Sequence, residues 1–374
     1  MTEEIVNNSP NNLNNDNPAT CLAEMADGFD PNRAYEEHQE AFERSLVLED
    51  PDNYGVGEIK VIDGRNSKSV EELFEEYGGK YSREFLEERK QEISKHKAEF
   101  EQFIDSFHGQ LKHARVCPAP EYSPFSLINA KAKNGEIRLD PVFIDEIKYM
   151  KQQGVSEINL VASFADKDEN GQTTMALPNI EEYVSMIDEL VQQVGQEGLI
   201  ISIGNETNQS MRSNPDNLEN LSDVIISEKI PPEEYGAFYR EVVSRLKEKH
   251  QGLQFCPAGT SFCAPKYTSR VLDAIGDDSL IDIVDFHPYR NDPDEAWTSE
   301  GEEVPGWKYD DYENELLRIA NEHGARLIVG EIQFGGGDDP SATEKARKSL
   351  REAIARSAKK GIKSNIWPRV GLPF

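Results

Sequence analysis

A regular alternation of short apolar strands and amphipathic helices runs from residue 54 to residue 367, and it constrains the fold more than any other feature. Strand-like runs fall at 55–62, 111–117, 158–164, 199–203, 253–257, 281–286, 326–331 and 361–367. Local period separates the two kinds of element. A β-branched run such as Leu199-Ile-Ile-Ser-Ile203 reads as a buried strand, whereas the spacing of Phe85, Leu86, Ile93, Phe100, Ile104 and Phe107 describes one helix face. Boundary residues agree with this reading. Asp140 is a candidate N-cap followed by Pro141, with Gly154 just past the end of that helix; Asn179 and Glu182 form a capping box, and Gly195 stops the helix they begin. Further helices are expected at 83–107, 232–249, 268–275, 309–322 and 341–359. Eight strands alternating with helices predict a closed (β/α)8 TIM barrel rather than an open sheet. The first strand is not followed by a Gly-rich phosphate turn, which argues against a dinucleotide-binding sheet.

Residues 1–28 are rich in Asn and show almost no apolar period, so a disordered tail is expected there. Residues 29–374 are then one barrel domain that includes a helix over 31–48, with Tyr35, Phe42 and Leu46 turned inward. The chain stops at Phe374, soon after strand eight, where a final helix is usual. The helix at 31–48 is expected to fill that gap beside strand one.

The 374 residues include 70 Asp and Glu against 40 Lys and Arg. A surface this acidic repels phosphate backbones and anionic lipid, so neither nucleic acid nor a membrane surface is an expected partner. Residues 1–50 contain 12 acids and 2 bases, so about a third of the excess falls in the tail and its helix, away from the strand ends, and the remainder disfavours anionic sugars. No run of about 18 apolar residues exists, and Met1-Thr-Glu-Glu4 has neither the basic nor the apolar part of a secretory signal. A cytoplasmic location is therefore expected. Cys21, Cys117, Cys256 and Cys263 are too scattered for a disulfide framework or a metal knuckle and read as free thiols, although spacing alone leaves a Cys256–Cys263 bridge open.

In a barrel of this kind chemistry sits at the C-terminal ends of the strands. Strand four exits with Gly204-Asn205-Glu206-Thr207-Asn208, strand six with Asp285-Phe286-His287-Pro288-Tyr289, and strand seven with Gly330-Glu331-Ile332-Gln333. Glu206 and Glu331 thus face one mouth from strands that are not neighbours. Such a pair suits glycoside hydrolysis, in which one carboxyl protonates the departing oxygen while the other attacks or activates water at the anomeric carbon. Neighbouring residues of a regular strand point to opposite faces, so Asn205 and Glu206 share the mouth only if the strand ends or bulges there.

With these motifs in order, the sequence resembles the clan A glycoside hydrolases, the retaining (β/α)8 enzymes that include the family 5 and family 39 types. The resemblance rests on Ile201-Ser-Ile-Gly-Asn-Glu206, on Leu327-Ile-Val-Gly-Glu331, on His287-Pro-Tyr289, on Arg115 in strand two and on Trp367 in strand eight. It implies Glu206 as acid/base and Glu331 as nucleophile, with no cofactor and a carbohydrate substrate, which the charge balance suggests is neutral. Asn205 would hydrogen-bond the sugar 2-hydroxyl; Tyr289 and Arg115 would hold Glu331 ionised; His287 would support the acid/base residue, and Trp367 would offer a face to a pyranose ring. The chain departs from the family at the exit of strand three, where it reads Ala162-Ser-Phe-Ala-Asp166 and many members have His, and also at Thr207 and Gln333.

Two other classes compete. A metal-dependent barrel enzyme of the sugar isomerase type would use Glu206, Asp285, His287 and Glu331 as ligands. A catalytically silent carbohydrate-binding barrel would share the fold alone. Residues 207–231 and 290–308, the latter with Trp297 and Trp307, are long enough to shape a cleft, and Gly335-Gly-Gly-Asp-Asp339 reads as a turn rather than a phosphate loop.

Overall fold

The computed structural model describes residues 44–57, 59, 68–76, 78–116, 123–132, 134–167, 173–174, 176–208, 211–212, 225–226, 230–261, 263–288, 306–332 and 340–366. Eight parallel strand positions succeed one another: β1 (Tyr54–Val56), β2 (His113–Val116), β3 (Glu157–Ala162), β4 (Leu199–Ile203), β5 (Gln254–Pro257), β6 (Ile283–His287), β7 (Arg326–Ile332) and β8 (Lys363–Ile366). From β1 to β5 and from β6 to β8 each pairs with the next, and β8 returns to β1 with Tyr54 opposite Ser364. Strand five makes the closing step in two pieces. Gln254–Pro257 pairs with β4, and its continuation Thr260–Ser261 pairs with β6, so Ala258 and Gly259 hand the chain from one neighbour to the other. The architecture is therefore a (β/α)8 barrel, as the alternation predicts.

Sequence-level capping is seen directly. Asp140 accepts from the Val142 amide at 2.9 Å and Asn179 from the Glu182 amide at 3.1 Å, so each satisfies an otherwise orphaned N–H in the first turn. The helix opening strand seven's approach, Tyr309–Glu322, buries Tyr309, Tyr312, Leu316 and Ile319 against the sheet. Three elements differ from expectation. Among the described residues strand one covers Tyr54–Val56 and Gly57 leaves it, and a helix over Val70–Glu76 precedes the long helix Arg83–Asp105, the two sharing a small core of Val70, Leu73 and Leu86. The helix after strand five begins at Pro265, three residues earlier than its apolar period implied, because Pro at the first helical position needs no N–H partner.

Of the N-terminal helix expected over 31–48, residues 44–49 are described as helical, and Leu46 and Val47 are fully buried in the main core. Residues 31–43 and the expected tail at 1–28 lie outside the described residues, as do Cys21 and Cys117. Cys256 and Cys263 are buried free thiols.

Alternation along the strands sorts the barrel interior into layers. At the N-terminal end Glu157 pairs with Arg326 at 3.1 Å, Lys363 at 3.2 Å and His113 at 3.1 Å. Burial opposes ionisation of Glu157, but the His113 hydrogen bond and the two cations outweigh it and hold the carboxyl well below its usual range. Above this ionic plug Ile200, Cys256, Ile283 and Ile328 form a small apolar cluster of their own. Two residues further along the same strands come Ser202, Asp285 and Gly330.

Candidate active site

Glu206 reaches the mouth because its backbone leaves the strand. β4 ends at Ile203, Gly204 has φ +81° and Glu206 itself has φ +46°, a left-handed conformation that costs a non-glycine residue energy. This turn resolves the alternation problem, since it lets Asn205 and Glu206 both face the pocket. Surrounding contacts fix it: the Glu206 amide donates to the Gly259 carbonyl at 2.9 Å, and the Asn208 side chain bonds both the amide and the carbonyl of Ser261. The Tyr235 hydroxyl donates to the Ile203 carbonyl and accepts from the Ala258 amide, each at 2.6 Å, so it ties the exit of β4 to the break in strand five. A side chain at 204 would collide with Phe164, whose ring lies 2.5 Å from where its Cβ would stand. Phe164 packs against Tyr183, Tyr235 and Phe238. The strand-three exit therefore supports the Glu206 turn with an aromatic ring, where many members of the resembled family present a His.

Glu331 reaches the same space by a different irregularity. The register of β7 against β8 shifts between Val329 and Ile332, so the neighbours Gly330 and Glu331 both project toward the interior. Glu331 is 2% exposed and His287 is fully buried.

Arg115, on β2 and also fully buried, organises the pocket. One guanidinium nitrogen, Nη1, donates to Glu331 Oε1, while Nη2 donates to Asn205 Oδ1 at 2.9 Å and lies 3.2 Å from His287 Nε2. His287 Nδ1 is 2.8 Å from Glu206 Oε1 and 3.9 Å from Glu331 Oε2. Burial alone would favour a neutral His287, yet the negative charges of Glu331 and Asp285 prevail and raise its pKa to about 10. The raised value favours a protonated ring, whose Nδ1 then donates to Glu206. Its ionic contribution to stability is fully present below the unfolded value near 6.5 and is lost as pH rises through about 10.

The structure thus brings five sequence-derived candidates into one cluster: Arg115, Asn205, Glu206, His287 and Glu331. Tyr289 and Trp367 lie outside the described residues, as do Trp297 and the Gly335–Asp339 turn. Trp307 is partly buried and meets Tyr312 edge-on at 5.2 Å. Sequence reasoning placed Asp285 only in the metal alternative, yet its carboxylate is 2% exposed and borders both Arg115 and His287. The i, i+2 spacing of Asp285 and His287 on one strand was the available signal.

Glu206, His287 and Glu331 offer three ligand atoms within 4.8 Å of one another. A divalent cation does not suit this set. Arg115 already supplies a fixed positive charge to Glu331, and a second cation on that carboxylate would lie against the guanidinium. Activity is accordingly expected to be indifferent to a chelator, and loss of turnover in EDTA restored by a divalent ion would instead support the isomerase-type reading.

Gly330 is a close-approach glycine. A Cβ there would stand 2.2 Å from Asp285 Oδ1 and 2.3 Å from Oδ2. Gly330→Ala is expected to cost about 1–3 kcal/mol of stability, the usual penalty of overpacking, and to lower activity by displacing the neighbouring Glu331. A urea titration and a rate measurement on the same sample check both parts.

No family model and no curated protein matches this chain. Among solved structures it is similar to a GH5 family lichenase from Caldicellulosiruptor sp. F32, with 13% identity, 92% of this chain and 88% of that chain covered, and a TM-score of 0.46. It is also similar to a GH5-4 broad specificity endoglucanase from an uncultured bacterium, with 14% identity, 68% and 73% covered, and a TM-score of 0.44. A third similar structure is the Pseudomonas stutzeri endoglucanase Cel5A, with 14% identity, 74% and 78% covered, and a TM-score of 0.45.

Proposed function

We propose that the chain hydrolyses β-linked glycosides of neutral sugars with retention, Glu331 acting as nucleophile and Glu206 as acid/base. One observation supports this reading above the rest: a carboxylate oxygen from each residue lies within 4.8 Å of the other, at the mouth of the barrel. Retaining enzymes keep their carboxyl groups about 5–5.5 Å apart, whereas inverting ones need about 6.5–9.5 Å to seat a water between them. The chemistry then runs in two steps. Glu206 protonates the departing oxygen as Glu331 attacks the anomeric carbon, and afterwards Glu206 takes a proton from the water that releases the glycosyl group.

The local electrostatics suit these roles. Arg115 orients Glu331 by a charged hydrogen bond and neutralises it without competing for the anomeric carbon, since a guanidinium is no nucleophile. Asn205 accepts from Arg115 through its oxygen, which turns its NH2 outward as a donor for a sugar hydroxyl. His287 restrains Glu206 from the side.

The test is a series of β-glycosides with graded leaving groups, offered to wild type and to Glu206→Ala. Aryl glycosides with acidic phenols need no protonation, so the variant should form its glycosyl-enzyme nearly normally on them. Poor leaving groups should suffer at least about a 100-fold loss, the low end of general-acid contributions. Equal losses across the series would remove Glu206 from the acid role. Binding of oligosaccharides with no turnover of any glycoside by wild type would favour the silent carbohydrate-binding barrel.

A further inference from the structure

We propose that Asp285 is a positioning residue that couples the two catalytic carboxylates by anchoring, from behind, both the imidazole that orients Glu206 and the guanidinium that orients Glu331. The inference rests on the roles given above to Glu206 and Glu331.

Its basis is geometric. Asp285 sits on β6 two residues before His287, hence on the same interior face and one layer deeper. Its Oδ2 lies 3.5 Å from His287 Nε2 and 3.7 Å from Arg115 Nε. Each cationic group is therefore held at both ends. His287 has Glu206 at Nδ1 and Asp285 at Nε2; Arg115 has Glu331 at Nη1 and Asp285 at Nε. Arg115 Nη2 and His287 Nε2 come within 3.2 Å of each other, and the same Asp285 carboxylate lies beside both groups.

The space around the carboxylate is also shaped for it. A Cβ on Gly330 would overlap both Asp285 oxygens, and a Cβ on Gly259 would stand 2.3 Å from His287 Nε2 and 3.0 Å from Asp285 Oδ2. Two strands thus carry no side chain where this acid and its histidine fit. A buried carboxylate is expensive unless ionic partners surround it, and Asp285 meets its partners at ion-pair distance rather than in hydrogen bonds of its own. It therefore contributes charge and placement to Arg115 and His287 without touching the substrate. Among the described residues, the charged groups facing His287 include Arg115 from β2, Glu206 from the exit of β4, Asp285 from its own strand and Glu331 from β7.

Asp285→Asn keeps the shape and removes the charge. We expect kcat on a neutral aryl β-glycoside to fall about 100-fold, the effect of misplacing reacting groups by about an ångström, with KM changed by less than about threefold because no substrate contact is lost. The pH at which His287 loses its ring proton, followed by nitrogen-15 NMR, should fall by about one unit or more as the ring loses its supporting anion. A variant that melts earlier but keeps the kcat and the His287 titration of wild type overturns the proposal, for that is the signature of a merely structural acid. Nitrogen-15 NMR of histidine in the wild-type protein gives a second readout that needs no folded variant. Both ring nitrogens of His287 should be protonated at pH 8, and an unprotonated Nε2 overturns the proposal, since the ring would then accept from Arg115 and have no use for Asp285. Failure of wild type to hydrolyse any glycoside would end the glycosidase reading alone, because the NMR result still decides what Asp285 does.

Discussion

Replacing Glu331 with Ala is expected to lower turnover of an aryl β-glycoside by at least about 10⁴-fold, since removal of a nucleophile abolishes the covalent route rather than weakening one contact. The residual cavity makes the result diagnostic. Azide admitted into the space vacated by the carboxylate can attack the anomeric carbon from the face that Glu331 used, while Glu206 still protonates the leaving group. The product should be a glycosyl azide of inverted configuration, formed at a rate that rises with azide concentration. Glu206→Ala with azide should give the opposite outcome, a retained azide, because there the anion intercepts a glycosyl-enzyme already formed on Glu331. Product stereochemistry thus assigns the two carboxylates independently of the size of either rate loss. A retained product from Glu331→Ala, or an undiminished rate, would remove Glu331 from the nucleophile role.

Much of the fold was legible because its signals are local. Asp140 with Pro141 and Asn179 with Glu182 mark helix starts through bonds to amides two or three residues away, and the β-branched run 199–203 needs no distant information to read as a strand. What the sequence did not reveal depends on contacts between remote segments. The two-piece strand five, which closes the ring, is held by Tyr235 on the preceding helix and by Asn208 beyond the exit of β4. No periodicity in residues 254–261 announces it. The site divides in the same way. Glu206, His287 and Glu331 were visible from their places at strand ends, whereas the turn that aims Glu206 depends on Gly204 meeting Phe164 and on the Gly259 carbonyl. Asp285 was obscure for a related reason. An acid in the middle of an apolar strand makes sense only when Gly330 and Gly259, on the two flanking strands, are known to leave it room.

Arg115→Met is the substitution expected to damage both stability and activity. The thioether chain replaces most of the buried volume, so the loss measures charge and hydrogen bonding rather than a cavity. Without the guanidinium, Glu331 loses its charged donor, Asn205 its orienting partner and Asp285 one of its two cations. Removing one member of a buried ionic network costs about 3–5 kcal/mol, because the partners stay desolvated without compensation. Lys at this position should rescue little, since a single ammonium cannot reach Glu331, Asn205 and Asp285 together as the planar fork does. A double-mutant cycle separates the ionic part of the loss from any packing defect. Arg115→Met combined with Glu331→Gln should be less destabilised than the sum of the single changes by about 1–3 kcal/mol, the coupling typical of residues in one network. Strict additivity in chemical denaturation would mean that the Arg115–Glu331 contact does little to hold the barrel mouth together, and that the nucleophile owes its placement to the β7 register shift alone.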